Sequence, residues 1–170
     1  MIYNYIIEKL EGNASTFKNL LENISDEQVR WKPSTENWSL LEVTNHLYDE
    51  EREDFRQRIK NVLGDPQKSW SPIDPGNWNT EREYNKRDMN DSLNNFLSER
   101  IKSVEWLKSL TSPDWKAIHN HPKLGEMSAE KLLVNWLAHD YLHMRQITFL
   151  NYSYLSHKAP QINLNYAGDW

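Results

Sequence analysis

The chain of 170 residues contains no cysteine and only five glycines. Without cysteine it can form no disulfide, use no cysteine nucleophile and offer no thiolate to a metal, so a zinc ribbon and a thioredoxin-like redox site are excluded. Any transition-metal site must therefore use imidazole and carboxylate ligands. The sequence also has no Walker loop, no GxGxxG fingerprint and no GxSxG nucleophile elbow.

Long apolar runs are absent as well. No stretch approaches the roughly 18 uninterrupted apolar residues of a membrane span, and Glu8 and Glu11 stand where a signal peptide has an apolar segment. The net charge of -5 argues against nucleic acid, which needs a concentrated basic face. The basic residues of ERIK (99–102) and NKRD (85–88) lie beside acids and are interpreted as solvated helix faces. We expect a cytoplasmic protein with neither a membrane nor a nucleic acid as partner.

Helical periodicity dominates the chain. Apolar residues at steps of three and four predict one domain, 1–170, with four main helices over about 7–24, 40–62, 90–110 and 129–150. The predicted buried stripe of helix three is Leu93, Phe96, Leu97, Ile101, Val104 and Leu107.

Serine residues mark where several helices begin. Ser39 and Glu42 form a capping box at the start of helix two, in which the hydroxyl and the carboxylate each satisfy a free backbone N–H. Ser25 is a good N-cap for a short turn after helix one, and Ser128 is the predicted N-cap of helix four. These starts are predicted from local chemistry alone.

The segment between helices two and three is unusually long. Residues 64–88 contain three prolines and two glycines and show no helical stripe. Antiparallel neighbours in a bundle are usually joined by about two to eight residues, so we expect a crossover that runs the length of the bundle and leaves helices two and three parallel. The sequence therefore predicts an all-α four-helix bundle with a long crossover. A short strand pairing around 115–121 is the one exception.

Helix four carries the residues best suited to chemistry. One face of it consists of Leu132, Trp136, His139, His143, Gln146 and Leu150. Side chains four residues apart have Cβ atoms about 6 Å apart, and zinc–imidazole bonds are about 2.0–2.1 Å long, so His139 and His143 can converge on one ion. Taken alone, the pair fits a metal site and a hydrogen-bonded core pair equally well.

Three further features favour a metal. Burying two adjacent imidazoles costs about 1–3 kcal/mol each unless they find partners, and a metal satisfies both. His46 lies in helix two beside Leu47, at the edge of an apolar stripe, and no cysteine competes for the role. We therefore predict a metal ion on His46, His139 and His143, with the open coordination position that a catalytic site keeps.

Three polar residues near these histidines have open roles. Glu50 lies one turn after His46 and can accept a hydrogen bond from an imidazole, ligate the ion, act as a base toward a water at the metal, or be a surface acid in the run DEERED. Asp140 is turned about 100° away from His139 on the helix, so a salt bridge is the better interpretation. Gln146 shares the histidine face and can line the cavity. Glu50 and Gln146 are the candidate catalytic residues.

The remaining histidines are not predicted to be ligands. His119 and His121 lie in a predicted loop flanked by Asn120 and Pro122, so we expect them to be exposed. His157 lies in the tail and has no identifiable partner.

Two segments, ENWSLLEVTNHLYDEE in helix two and LLVNWLAHDYLHMRQI in helix four, resemble the DinB-like family, which is also grouped with the bacterial thiol transferases. The family pattern is a tryptophan and a serine opening helix two, a histidine followed by leucine within it, and H-x-x-x-H-x-x-Q near the end. Those positions are Trp38, Ser39, His46, Leu47, His139, His143 and Gln146. WKPSTENWS and YAGDW also resemble the family, so the resemblance covers nearly all of the chain.

The resemblance implies a four-helix bundle with a long crossover, a divalent metal ion, often zinc or nickel, on the three histidines, and frequently a homodimer. Characterised members of the family include thiol-dependent S-transferases and isomerases that use bacillithiol, mycothiol or glutathione, and others are described as metal-dependent hydrolases. An activity carried over from them rests on fold analogy.

We expect a metal-dependent enzyme of the thiol S-transferase or hydrolase type, in which the ion lowers the pKa of a thiol or a water. Its partner would be a small-molecule thiol or an electrophilic substrate. The alternative is a non-catalytic, metal-stabilised stress-response or binding module. A third interpretation is a partner-binding bundle whose core histidines hold no metal.

Overall fold

The computed structural model describes residues 2–168. Its helices are α1 (Ile2–Leu21), α2 (Asp26–Arg30), α3 (Leu40–Asp49), α4 (Arg56–Gly64), α5 (Trp78–Glu81), α6 (Met89–Ser109) and α7 (Ala129–Lys158). A π-helical segment (Glu50–Phe55) joins α3 to α4, and 3-10 turns cover Tyr84–Lys86 and Asn165–Ala167. One antiparallel hairpin, β1 (Ile118–His121) and β2 (Gly125–Ser128), precedes α7. Among residues 2–168, no helix combines the length and the apolar character that crossing a bilayer requires.

The predicted parallel arrangement of helices two and three is confirmed by side-chain contacts. Asn45 in α3 donates a hydrogen bond to Ser92 near the start of α6, and Arg56 at the start of α4 donates to Ser103 farther along α6. Contacts therefore advance in the same direction along both helices. The crossover between them is what makes this direction possible, because a short loop would reverse the chain.

Helix α1 is parallel to α7 by the same criterion. Tyr3 donates a hydrogen bond to Glu130, and Asn13 donates to Asp140, so ten residues along α1 correspond to ten along α7. The bundle therefore has two parallel pairs of helices, α1 with α7 and α3–α4 with α6.

The predicted caps form as expected. The hydroxyls of Ser25, Ser39 and Ser128 each accept a hydrogen bond from a backbone N–H in the first turn of α2, α3 and α7. The side chain of Glu42 completes the capping box by accepting from the N–H of Ser39 at 2.8 Å. Each cap contributes about 1 kcal/mol.

A polar layer divides the core at the middle of the bundle. The apolar cluster on one side of it includes Leu10, Phe55, Ile59, Val104, Leu107, Leu132 and Trp136. The cluster on the other side includes Phe17, Leu21, Leu40, Leu47, Phe96, Ile147 and Leu150. Each main helix passes from one cluster to the other through at least one buried polar residue: Asn13 in α1, His46 and Glu51 in the second helix, Arg100 in α6 and Asp140 in α7.

The π-helical segment lies in this layer and was not predicted from the sequence. It makes 40–64 one continuous helix with a wider turn, in which Glu50 and Glu51 are both buried. A π turn changes the register of all following residues relative to a regular α-helix, and such turns are frequent at functional sites.

The predictions for the end of helix four and for His157 are wrong. Helix four does not stop at about Leu150 but continues to Lys158, because Tyr154 is buried with its ring 5.5 Å from that of Trp31. His157 consequently lies in the last turn of α7 and has a ring partner, since its centroid is 5.2 Å from that of Trp31. Of the segment YAGDW, residues 169–170 lie outside the described residues.

His119 and His121 do not lie in an exposed loop. Both belong to β1, and His119 is 6% exposed. Its Nδ1 lies 2.8 Å from the carbonyl oxygen of Pro66, and its ring stacks on Trp70 with the centroids 4.4 Å apart. The crossover therefore folds back on the hairpin, a long-range contact that the local sequence does not reveal.

Candidate metal centre

The three predicted histidines meet in the polar layer. His46 reaches it from α3, and His139 and His143 reach it from adjacent turns of α7. The Nε2 atom of His139 lies 3.4 Å from Nε2 of His46 and 3.0 Å from Nε2 of His143. One ligand atom from each ring lies within 4.8 Å of the other two.

This spacing fits a metal ion. Two nitrogens bonded to one tetrahedral zinc at about 2.0–2.1 Å lie about 3.3 Å apart, which is close to the separations observed. The Nδ1–H of His143 donates to Oε1 of Gln146 at 2.8 Å, so the Nε2 lone pair of His143 points toward the other two rings. A hydrogen-bond acceptor on the second ring nitrogen is the usual support of a metal-bound histidine. The donor set can therefore hold one divalent ion.

The electrostatics of the rings favour the neutral form that binds metals. Burial lowers the pKa of His46 to about 3 and that of His139 to about 2, with further lowering by the neighbouring His143. Burial also lowers the pKa of His143, although Gln146 opposes the shift. All three imidazoles are therefore neutral at pH 7, as ligation requires.

His46 differs from His143 in its second nitrogen. Among residues 2–168, Nδ1 of His46 is buried and has no hydrogen-bond partner. The ring packs edge-on against Trp38, with the centroids 4.8 Å apart. His46 is therefore held by packing, whereas the orientation of His143 is fixed by a hydrogen bond.

Glu50 is buried, not a surface acid. Its exposed fraction is 5%, and burial raises its pKa to about 7, against the opposing charge of Arg58. Among residues 2–168, no carboxylate joins the three ring nitrogens in the group that lies within 4.8 Å. The charge that acts most on Glu50 is that of Arg58. Glu50 is therefore not placed among the metal ligands, and the catalytic role of Glu50 stays a prediction.

Two open hollows give access to the histidines. One, of about 660 Å³, is lined by Leu142, His143, Arg145, Gln146 and Phe149. The other, of about 360 Å³, is lined by Glu36, Asn37, Trp38, His46, His143 and Gln146. Because His143 and Gln146 belong to both walls, a small molecule in either hollow can reach the cluster. Volumes of this size are typical of small-molecule sites.

A profile of the DinB superfamily matches residues 9–147, which contain all three histidines. The chain belongs to the DinB superfamily. A relative from Oceanobacillus iheyensis, named "Putative metal-dependent hydrolase OB0782", is 25% identical to this DinB-superfamily protein over 151 residues, which are 88% of this chain and 86% of the relative.

The fold of this DinB-superfamily protein is also found in a solved structure. YfiT from Bacillus subtilis, described as "a probable metal-dependent hydrolase with an unusual four-helix bundle topology", matches with a TM-score of 0.78 at 22% identity. The match covers 93% of this chain and 87% of YfiT. At this identity the likeness shows that the two proteins share the fold.

The DinB-superfamily bundle also contains a buried ionic cluster beside the histidines, which we call the Arg100 cluster: Arg100, Glu51 and Asp140. Nε and Nη2 of Arg100 donate to the two oxygens of Glu51, both at 2.9 Å. Nη1 and Nη2 donate to the two oxygens of Asp140 at 2.7 and 2.8 Å. Nη1 also donates to the carbonyl of Leu10 at 3.1 Å, so all five N–H groups of the guanidinium are used.

The sequence predicted only part of the Arg100 cluster. The salt bridge of Asp140 is confirmed, but the interpretation of ERIK as a solvated face is wrong for Arg100, which is 1% exposed. Ile101, which was assigned to the buried stripe, is 56% exposed instead. The available signal was the spacing Phe96, Arg100, Val104, in which a charged residue interrupts an apolar stripe at steps of four.

Proposed function

We propose that this protein is a metal-dependent enzyme that acts on a small molecule, with one divalent ion held by His46, His139 and His143. The observation that supports this most directly is the convergence of three neutral imidazole nitrogens, 3.0–3.4 Å apart along the cluster, at the wall of two open hollows. Three protein ligands with access from solvent are typical of a catalytic site, whereas a structural site is closed.

Hydrolysis is the reaction that we favour. When bound, the ion supplies Lewis-acid chemistry and makes a water or a thiol more acidic. The relative from Oceanobacillus iheyensis and YfiT are both described with the words metal-dependent hydrolase. These descriptions support water as the nucleophile. Transfer of an electrophilic substrate to a small-molecule thiol is the second candidate reaction. The resemblance of helices two and four to the thiol transferases implies this reaction.

The residues of the chain would have separate roles. Gln146 positions His143 through its Nδ1–H, and Trp38 packs against His46. Glu50 has a pKa of about 7, which suits a group that accepts and returns a proton near neutral pH. Because Glu50 is not in the group of ligand atoms that meet within 4.8 Å among the described residues, we expect any proton transfer to Glu50 to occur through a water.

Metal analysis followed by an activity screen tests this function. Purified protein without an affinity tag is analysed for bound metals and then loaded separately with zinc, nickel, cobalt and manganese. Each form is assayed against panels of amides and esters, and against electrophiles with small thiols. We expect about one metal ion per chain, absent from His139→Ala and retained in His157→Ala, whose ring lies outside the cluster. A protein that binds no metal, or whose turnover survives chelation, would refute the proposal.

The non-catalytic alternative predicts a different result. If the ion only stabilises the bundle, chelation collapses the fold and no substrate in either panel is turned over. Thermal melts with and without chelator, run alongside the screen, separate the two. A bundle with no metal in any preparation would favour the third interpretation, a partner-binding core cluster.

We also propose that two copies of the chain pair through the outer face of α7. Val134, Tyr141 and Leu142 on this face are 47–54% exposed although they are apolar, and a homodimer is implied by the resemblance. Light scattering of wild type and of Val134→Glu/Tyr141→Glu tests it. A wild-type protein that is monomeric at micromolar concentration would disprove the pairing.

A further inference from the structure

Two groups of buried side chains in the polar layer are neighbours, the histidines and the Arg100 cluster. They are joined directly along α7, because Asp140 follows His139 in the chain. They are also joined through Trp136, one turn before His139, whose indole N–H donates to Glu51 at 3.0 Å. The Arg100 cluster therefore adjoins the histidines within the polar layer. Besides burial, which lowers the pKa of both rings of α7, its charges act on them in both directions, because Asp140 raises the pKa of His143 and Arg100 lowers the pKa of His139.

The Arg100 cluster has an uncompensated negative charge. Two carboxylates share one guanidinium, so the formal charge is -1, and the side chains of Glu51, Arg100 and Asp140 are each at most 1% exposed. Asn13 donates to Asp140, but it is neutral. Two other buried acids of this layer have basic neighbours. Asp49 belongs to a balanced group, since Asp49 and Glu53 face Arg52 and Arg82, and the charge of Arg58 acts on Glu50.

The histidine site, in contrast, lacks a negative charge to balance a bound cation. Three neutral imidazoles contribute no negative charge, so binding a divalent ion there places two positive charges in a half-buried environment. A buried cation is costly unless a buried anion is close. Solvent screens surface acids, but it does not reach the Arg100 cluster.

We propose that the Arg100 cluster is the counter-charge of the metal centre, with Glu51 and Asp140 as positioning residues that strengthen metal binding without touching the ion. This inference rests on the proposed metal site. It assigns to Glu51 and Asp140 a function beyond stabilising the bundle. The π-helical segment contributes by placing Glu51 against Arg100 and Trp136.

Charge-neutral variants test the inference. Glu51→Gln and Asp140→Asn each bring the formal charge of the cluster from -1 to zero with little change in side-chain volume. Glu105→Gln removes the same charge from the exposed face of α6 and is the matched control. Zinc affinity is measured by competition with a chromophoric chelator, and the visible spectrum of the cobalt-loaded protein reports the geometry at the metal.

We expect zinc to bind about 10- to 100-fold more weakly to Glu51→Gln and Asp140→Asn, the range seen for outer partners of metal ligands. The cobalt spectrum should keep its band positions, and Glu105→Gln should bind like wild type. Unchanged affinity in both variants would overturn the inference, and so would an altered cobalt spectrum, which indicates a distorted site. If both variants stay unfolded with zinc present, the cluster is required for the fold and the counter-charge role is rejected. Absence of zinc binding in wild type would instead refute the proposed function.

Discussion

Nδ1 of His143 and Oε1 of Gln146 are 2.8 Å apart, one turn along α7, and this hydrogen bond determines which nitrogen His143 presents to His46 and His139. The amide oxygen can only accept, so the proton of the neutral ring is kept on Nδ1 and the Nε2 lone pair is free. Gln146 therefore selects the tautomer that a metal site requires.

The first prediction follows from this contact. Gln146→Leu removes the acceptor and should weaken zinc binding about 10- to 100-fold, as is typical when the outer partner of a metal-bound histidine is lost. Gln146→Glu keeps an acceptor and should stay closer to wild type. Chelator competition measures both, with Gln57→Leu on exposed α4 surface as control. Equal affinities for Gln146→Leu and wild type would show that the ring needs no such support.

Metal binding should stabilise the fold of the protein and not of the His139→Ala variant. A ligand that binds only the native state at 100 times its Kd raises the free energy of unfolding by about 2.7 kcal/mol. Urea denaturation of wild type with zinc at that excess should show this gain over the chelated protein. His157→Ala should show it as well. A gain of the same size in His139→Ala would place the zinc elsewhere.

The third prediction concerns pH. The pKa of Glu50 rises from 4.5 unfolded to about 7 folded, so its neutral form stabilises the fold, fully below pH 4.5, and the contribution is lost as the pH rises through 7. The loss reaches about 3 kcal/mol, at 1.36 kcal/mol per pKa unit. Glu50→Gln stays neutral, so it should be more stable than wild type at pH 8.5 by up to that amount and equal to it at pH 4.5.

Urea denaturation in chelator at both pH values gives the Glu50 comparison. Protonation of the buried histidines destabilises both proteins alike at low pH, so it cancels in the difference. Glu105→Gln, on the exposed face of α6, should show no such pH dependence. A Glu50→Gln variant that is no more stable than wild type at pH 8.5 would mean that the Glu50 carboxylate is well solvated.

The fourth prediction concerns Arg100. Although burial alone would lower its pKa, the charges of Asp140 and Glu51 raise it, so the guanidinium stays charged. Arg100→Met leaves two buried carboxylates without a partner, and breaking a buried ion pair in this way costs about 3–5 kcal/mol. Arg145→Met, which removes an exposed arginine, should change the free energy of unfolding by less than about 0.5 kcal/mol. Denaturant titration compares the two, and a small loss in Arg100→Met would indicate that the carboxylates take up protons.

The sequence by itself determined the features whose causes are local. The capping box of Ser39 and Glu42 involves groups three residues apart, and the pairing of His139 with His143 follows from the repeat of one helix. The length of the segment 64–88 was enough to predict the parallel helices. His46 was placed from its position at the edge of an apolar stripe, together with the order of motifs along the chain.

Only the tertiary structure decided the features that depend on which surfaces meet. Arg100 and Ile101 both lie near an apolar stripe, and Arg100 is the buried one because Glu51 and Asp140, from two other helices, satisfy it. His119 is buried because the crossover folds over it. Burial of a charged or polar side chain is set by partners distant in the chain, and a periodicity of three and four residues contains no information about them.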